Sequence, residues 1–184
     1  MKKLCSLACL MLFPMIALAQ QSGDEATQQA VTEVPSQATD TESKNLLKPA
    51  NDLESWKFEL TEAGKGEMKL DGDSIVFTVT ETTGTNWHVQ AYQVGVALKE
   101  GKQYVIKFKM QSPDAAQVLL IGQINEEDWH EFGLHEEIFP GKEFKDYEFT
   151  FTATNAKEDN NRIGFVLGTT KGTTIVKDLT LTDK

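Results

Sequence analysis

The chain has 184 residues, 18 basic and 28 acidic, with a formal net charge of −10 and a single arginine, Arg162. That balance excludes nucleic acid as a partner, because a polyanion is gripped by a basic face rich in forked donors. Both cysteines, Cys5 and Cys9, fall in the first ten residues, so the rest of the chain has no disulfide framework, no thiolate nucleophile and no cysteine metal site.

The N-terminus reads as an export leader. Lys2 and Lys3 form a positive start, residues 4–18 form an apolar run, and Ala17-Leu18-Ala19 places small residues where a signal peptidase reads them. A signal peptide over 1–19, cut before Gln20, predicts a secreted or periplasmic protein. The competing reading is a membrane anchor, but the run is short for a bilayer and no membrane span is expected. Without Lys2 and Lys3, 16 basic residues face 28 acidic ones, a net of −12. Residues 20–44 are rich in Gln, Ser, Thr, Ala and acids and have no aromatic residue. Such a stretch buries too little apolar surface to offset its ordering entropy, and it is expected to be a disordered linker or a cleaved pro-segment. Residues 45–184 then form one domain, large enough for a core.

Period-two alternation dominates that domain and predicts strands. Ile75, Phe77 and Val79 face one way, against Ser74, Thr78 and Thr80. Tyr104, Ile106, Phe108 and Met110 alternate with Lys107 and Lys109. Tyr147, Phe149 and Phe151 alternate with Glu148, Thr150 and Thr152, and Trp56 is in step with Phe58 and Leu60, as a core residue would be. In the last strand Ile175, Leu179 and Leu181 are expected on one face with Lys177. Segments around Leu119 and Phe165 are apolar on both faces and read as central strands. Turns are predicted at Asp71-Gly72-Asp73, Glu100-Gly101-Lys102, Pro140-Gly141-Lys142 and Lys171-Gly172. The expected fold is all-β, a jelly-roll β-sandwich.

The opening NLLKPANDLESW, the central NWHVQAYQVGVALKEGKQYVIKFKMQS and the closing TTIVKDLTL resemble carbohydrate-binding modules of the families four and nine type, the CenC-like group. The similarity covers nearly all of residues 45–182. It rests on Asn45, Leu46, Glu54 and Trp56 at the start, on Trp87, Gln90, Gly101 and Tyr104 in the middle, and on Asp178 near the end. Lys48-Pro49-Ala50 and Leu53 depart from the usual opening. The resemblance implies a galactose-binding-like jelly roll, non-catalytic binding of a polysaccharide or oligosaccharide, and a structural calcium ion between first loop and last strand, at positions matched by Glu54 and Asp178.

Sugar rings pack flat C–H faces on aromatic rings, and their hydroxyls need amide, carboxylate or imidazole partners. The segment NWHVQAY supplies both kinds. His88, Gln90 and Tyr92 share one strand face by alternation. Trp87 falls with Val89 in the core by strict alternation, and reaches a cleft only from a loop or bulge. Trp129, amid Glu126, Glu127, Asp128, His130 and Glu131, is expected at the surface as a second aromatic platform, with Gln123 and His135 as hydroxyl partners. The sequence His130-Glu131-x-x-x-His135 spaces its imidazoles at i and i+5, which does not fit a zinc-protease helix. Acidic residues are plentiful, but no nucleophile elbow or phosphate loop accompanies them, so no enzyme is expected. The expected partner is a glycan bound by a monomer. The alternatives are a module that accompanies a glycoside hydrolase and an adhesion or assembly module that binds protein.

Overall fold

The computed structural model describes residues 44–114 and 116–184. The leader read at 1–19 lies outside the described residues, as does the linker read at 20–44 apart from Lys44. Among the described residues there are ten strands: β1 (Trp56–Leu60), β2 (Lys65–Asp71), β3 (Ser74–Glu81), β4 (Val89–Val96), β5 (Gln103–Gln111), β6 (Val118–Ile124), β7 (Glu131–Ile138), β8 (Lys145–Thr152), β9 (Asn161–Val166) and β10 (Gly172–Asp183). Single turns of 3-10 helix at Leu53–Ser55 and Asn86–His88 precede β1 and β4.

Two antiparallel five-stranded sheets, ordered β1-β4-β9-β6-β7 and β2-β3-β10-β5-β8, form the two layers of a jelly-roll sandwich. The alternating apolar residues face inward. Ile75, Phe77, Tyr104, Ile106, Phe108 and Met110 are at most 2% exposed. The centre is aromatic: Trp56 meets Phe77 edge-on at 5.4 Å, and Phe165 meets Phe108 edge-on at 5.4 Å. The Trp56 Nε1–H donates to the Ala50 carbonyl at 3.1 Å, which satisfies the one polar atom its indole carries inside. The four expected turns fall at the β2–β3, β4–β5, β7–β8 and β9–β10 connections.

One face assignment is corrected. Thr174 and Val176 are buried at the start of β10, and Ile175 is not. The pairing of β10 with β5 shifts register between Lys177 and Thr180, and Asp178 there has φ +54°. This bulge adds a residue and reverses the phase, so Val176 faces the core with Leu179 and Leu181.

Asn45 fastens the start of the domain to this last strand. Its Oδ1 accepts from the Leu47 and Leu181 amides at 3.1 and 2.8 Å, and its Nδ2–H donates to the Leu179 carbonyl at 3.2 Å. Asn45→Ala strands the Leu181 amide and is expected to cost about 1–3 kcal/mol. Urea denaturation would read this as a lower midpoint at unchanged slope.

Candidate functional site

The outer face of the β1-β4-β9-β6-β7 sheet carries an open groove of about 470 Å³. Strand register shows how the chain builds it. One row across the sheet reads Glu59, Gln90, Val166, Leu119 and Glu137, one residue from each strand. The next reads Lys57, Tyr92, Gly164, Ile121 and His135. Five strands span about 19 Å at the usual inter-strand spacing. At Gly164 a Cβ would lie 2.5 Å from the Tyr92 Cα and Cβ, so only glycine fits there and the sheet face carries no side chain between Tyr92 and Ile121.

Tryptophans flank this surface at its two ends along β9. Arg162 and Val166, both groove residues, stand about 13 Å apart along the strand. Trp87 belongs to the Val166 end. It sits in the 3-10 turn before β4, which is held by the Gly168 amide donating to the Asn86 carbonyl at 2.8 Å. Trp129 belongs to the Arg162 end, in the β6–β7 loop. The two indoles are 51% and 42% exposed, where burial of both would have left a sugar nothing to stack on. Strict alternation fails for Trp87 because the 3-10 turn interrupts the strand period.

Polar groups stand between the indoles. Gln90, Gln123 and His135 line the groove. The Gln90 Nε2–H donates to the Trp87 carbonyl at 2.9 Å, and the His135 Nδ1 lies 2.8 Å from a Glu131 carboxylate oxygen. Two expected residues lie elsewhere. His88 does not line the groove, whereas Gln90, itself only 8% exposed, does. His88 is also 8% exposed, with its Nδ1 2.8 Å from the Thr83 hydroxyl, because the 3-10 turn rotates it inward. Tyr92 keeps its predicted face but does not line the groove. Its hydroxyl donates to Glu59 at 2.9 Å, and its ring lies beneath Arg162. Burial and the Glu59 carboxylate raise its pKa above the ordinary phenol value, against the lowering effect of Arg162.

The groove also contains Glu59, Glu131 and Arg162, which sequence reasoning did not select. Glu59 was legible as the outward position between Phe58 and Leu60. Arg162 was hidden at the start of a strand read as apolar on both faces. Thr61, also at the groove, has a buried hydroxyl without a partner in the protein.

The loop carrying Trp129 is held by ionic contacts. The His130 Nε2–H donates to the Asn155 carbonyl at 2.8 Å, and its Nδ1 lies 3.0 Å from both Asp128 carboxylate oxygens. The Asn155 carbonyl first, and Asp128 second, raise the His130 pKa above its ordinary 6.5, while nearby Lys157 opposes this. Lys157 itself pairs with Glu126 at 2.9 Å. A raised histidine pKa gives a contribution that is complete below the ordinary value and is lost as pH rises through the higher folded value. The Trp129 loop is therefore expected to loosen as the pH rises above the ordinary histidine range. The check is hydrogen exchange of the loop amides against pH, which His130→Gln should flatten.

The expected calcium positions are separated in their contacts. Asp178 pairs with Lys109 at 2.9 Å and borders a recess with Asp73, Asn45 and Asn51, while Glu54 is exposed in the first 3-10 turn and does not line that recess. No group of three or more His, Cys, Asp or Glu is placed to hold a metal among the described residues. Nor is any described helix long and apolar enough to cross a membrane.

A family model described as a carbohydrate binding domain of the CBM 4 and 9 type matches residues 20–173. No curated protein matches the chain. Among solved structures, one described as "CBM4 structure and function" is 20% identical with a TM-score of 0.64, over 70% of this chain and 86% of that one. The second N-terminal cellulose-binding domain of Cellulomonas fimi β-1,4-glucanase C is 18% identical with a TM-score of 0.61, over 77% and 95%. The CBM22-1 xylan-binding domain from Paenibacillus barcinonensis is 8% identical with a TM-score of 0.51, over 77% and 95%. At these identities the likeness is one of fold.

Proposed function

The chain belongs to the carbohydrate-binding domain family, and on that premise we propose that the groove holds the interior of an extended glycan chain. The observation that carries this is the pair of exposed indoles, Trp87 and Trp129, at opposite ends of β9 with Gln90, Gln123 and His135 between them. Indole faces stack on pyranose C–H surfaces, and the amides and imidazole meet hydroxyls. An open trough across all five strands suits a chain that continues at both ends. The cellulose-binding and xylan-binding descriptions of the structural neighbours favour unbranched β-linked polysaccharides as the first ligands to try.

The groove's carboxylates are poorly placed for hydrolysis. Glu59 and Glu131 stand on opposite edge strands and in different rows, so their backbone positions are more than about 19 Å apart by strand spacing. A glycosidase pair needs roughly 5–10 Å. We also read residues 1–19 as an export leader, on Lys2, Lys3 and Ala17-Leu18-Ala19, which would place the domain where polysaccharides are met outside the cytoplasm.

The test is affinity electrophoresis and calorimetry on cellulose-derived, mixed-linkage, xylan and mannan polymers, with reducing ends assayed in parallel. Retardation by at least one polymer without release of reducing ends is expected. Binding to none of them, or turnover of any, overturns the proposal.

A further inference from the structure

Arg162 is 7% exposed, and none of the ion pairs among the described residues includes it. A buried charge is costly unless its surroundings replace the lost water. Two aromatic faces and one amide do so here. The guanidinium carbon lies 4.3 Å from the Trp129 ring centroid and 4.6 Å from that of Tyr92, and an Nη2–H donates to the Gln123 Oε1 at 2.7 Å. A planar guanidinium can stack on rings and donate from its edge at the same time, which a lysine ammonium cannot.

A second, independent observation concerns Trp129 itself. Its φ is +49°, in the left-handed region, and its amide donates to the Glu126 carbonyl at 2.9 Å in a tight turn. A bulky side chain persists in that region only where its surroundings over-determine it. The indole's charged neighbour across the groove floor is Arg162, and Arg162 is fixed on both sides. Gln123 anchors it to β6, and Tyr92, tied to Glu59, backs it from β4 and β1.

We infer that Arg162 is a positioning residue, which holds the Trp129 indole at the groove in its binding orientation through a guanidinium stacked against Tyr92. The role rests on the glycan reading of the groove only for its effect on affinity. The stacking itself is a property of the free protein. Arg162 therefore acts through Trp129, so removing either residue should remove the same part of the binding.

Two measurements test this on the full chain. The first needs no ligand. The protein has three tryptophans, giving three indole N–H signals in a nitrogen–proton correlation spectrum, assigned with Trp87→Phe and Trp129→Phe. In the unsubstituted chain the Arg162 side-chain protons should be moved upfield by the flanking rings. In Arg162→Gln and in Arg162→Lys the Trp129 signal should shift and broaden, while the Trp56 signal, a reporter of the core, stays in place. The second is an affinity cycle on cellohexaose and xylohexaose. Arg162→Gln and Arg162→Lys should each weaken binding about tenfold alone, the scale of a desolvated cation–π contact, and less than about twofold when added to Trp129→Ala.

An unshifted Trp129 signal in both variants, or arginine protons without ring shifts in the unsubstituted chain, overturns the inference. So does full rescue by lysine or an additive cycle, since either would mean that the charge meets the sugar directly. Should the unsubstituted protein bind neither oligosaccharide nor any polymer, the glycan reading fails, and the spectra still decide the role of Arg162.

Discussion

Trp129→Ala weakens glycan binding by about 1–3 kcal/mol, the usual cost of losing a central aromatic contact, and leaves the melting temperature nearly unchanged. The indole is 42% exposed, so its truncation opens no cavity in the core. Its loss also relieves the left-handed strain at this position only in part, because alanine is itself disfavoured at φ +49°. Trp87→Ala is expected to cost a similar amount, and the double variant should reduce affinity below calorimetric detection for a ligand of micromolar strength. Trp87 meets His88 edge-on at 4.2 Å, so His88 serves as its support, and His88→Ala should show a smaller loss than either tryptophan. The measurement is isothermal titration with the tightest polymer from the screen, beside thermal denaturation of each variant. Unchanged affinity in Trp129→Ala would remove the β6–β7 loop from the site.

Much of this groove is legible in the sequence, and the failures have physical causes. Period two places Gln90 and Tyr92 on one face because β4 pairs without a break from Gln90 to Val94. It misplaced His88 and left Trp87 undecided because the turn at Asn86–His88 breaks the period just where β4 begins. The same fault, an extra residue at Asp178, exchanged Ile175 for Val176 in the core. Arg162 was missed for a different reason. A single charge at the margin of an apolar run reads as a strand end, whereas here two aromatic rings from β4 and the β6–β7 loop close over it. Contacts between elements distant in sequence leave no local signature. The Asn45 tether to the last strand, 136 residues away at Leu181, was visible only as a family motif and not as a hydrogen-bonding need.

Phe165→Ala is expected to destabilise the domain by about 3–5 kcal/mol, the range for emptying a buried aromatic site. Phe165 is 1% exposed near the end of β9, the central strand of its sheet. Its ring stacks on Trp56 at 6.1 Å, meets Phe108 edge-on at 5.4 Å and lies 6.3 Å from Phe77, which belongs with Phe108 to the opposite sheet. Collapse around the vacancy is hindered because these neighbours are fixed by strand pairing on both sides. Phe139→Ala is the matched control. That ring is 69% exposed, and its loss should change stability by less than about 0.5 kcal/mol. Urea unfolding followed by tryptophan fluorescence would resolve the difference as a lower midpoint at constant slope. A loss under about 1 kcal/mol for Phe165→Ala would show that the two sheets are not held together through this cluster. The consequence reaches the groove, since the opposite face of the same strand presents Arg162, Gly164 and Val166. A β9 that shifts into the vacancy carries the base of the Trp129 platform with it, so Phe165→Ala should lose glycan affinity even at temperatures where it remains folded.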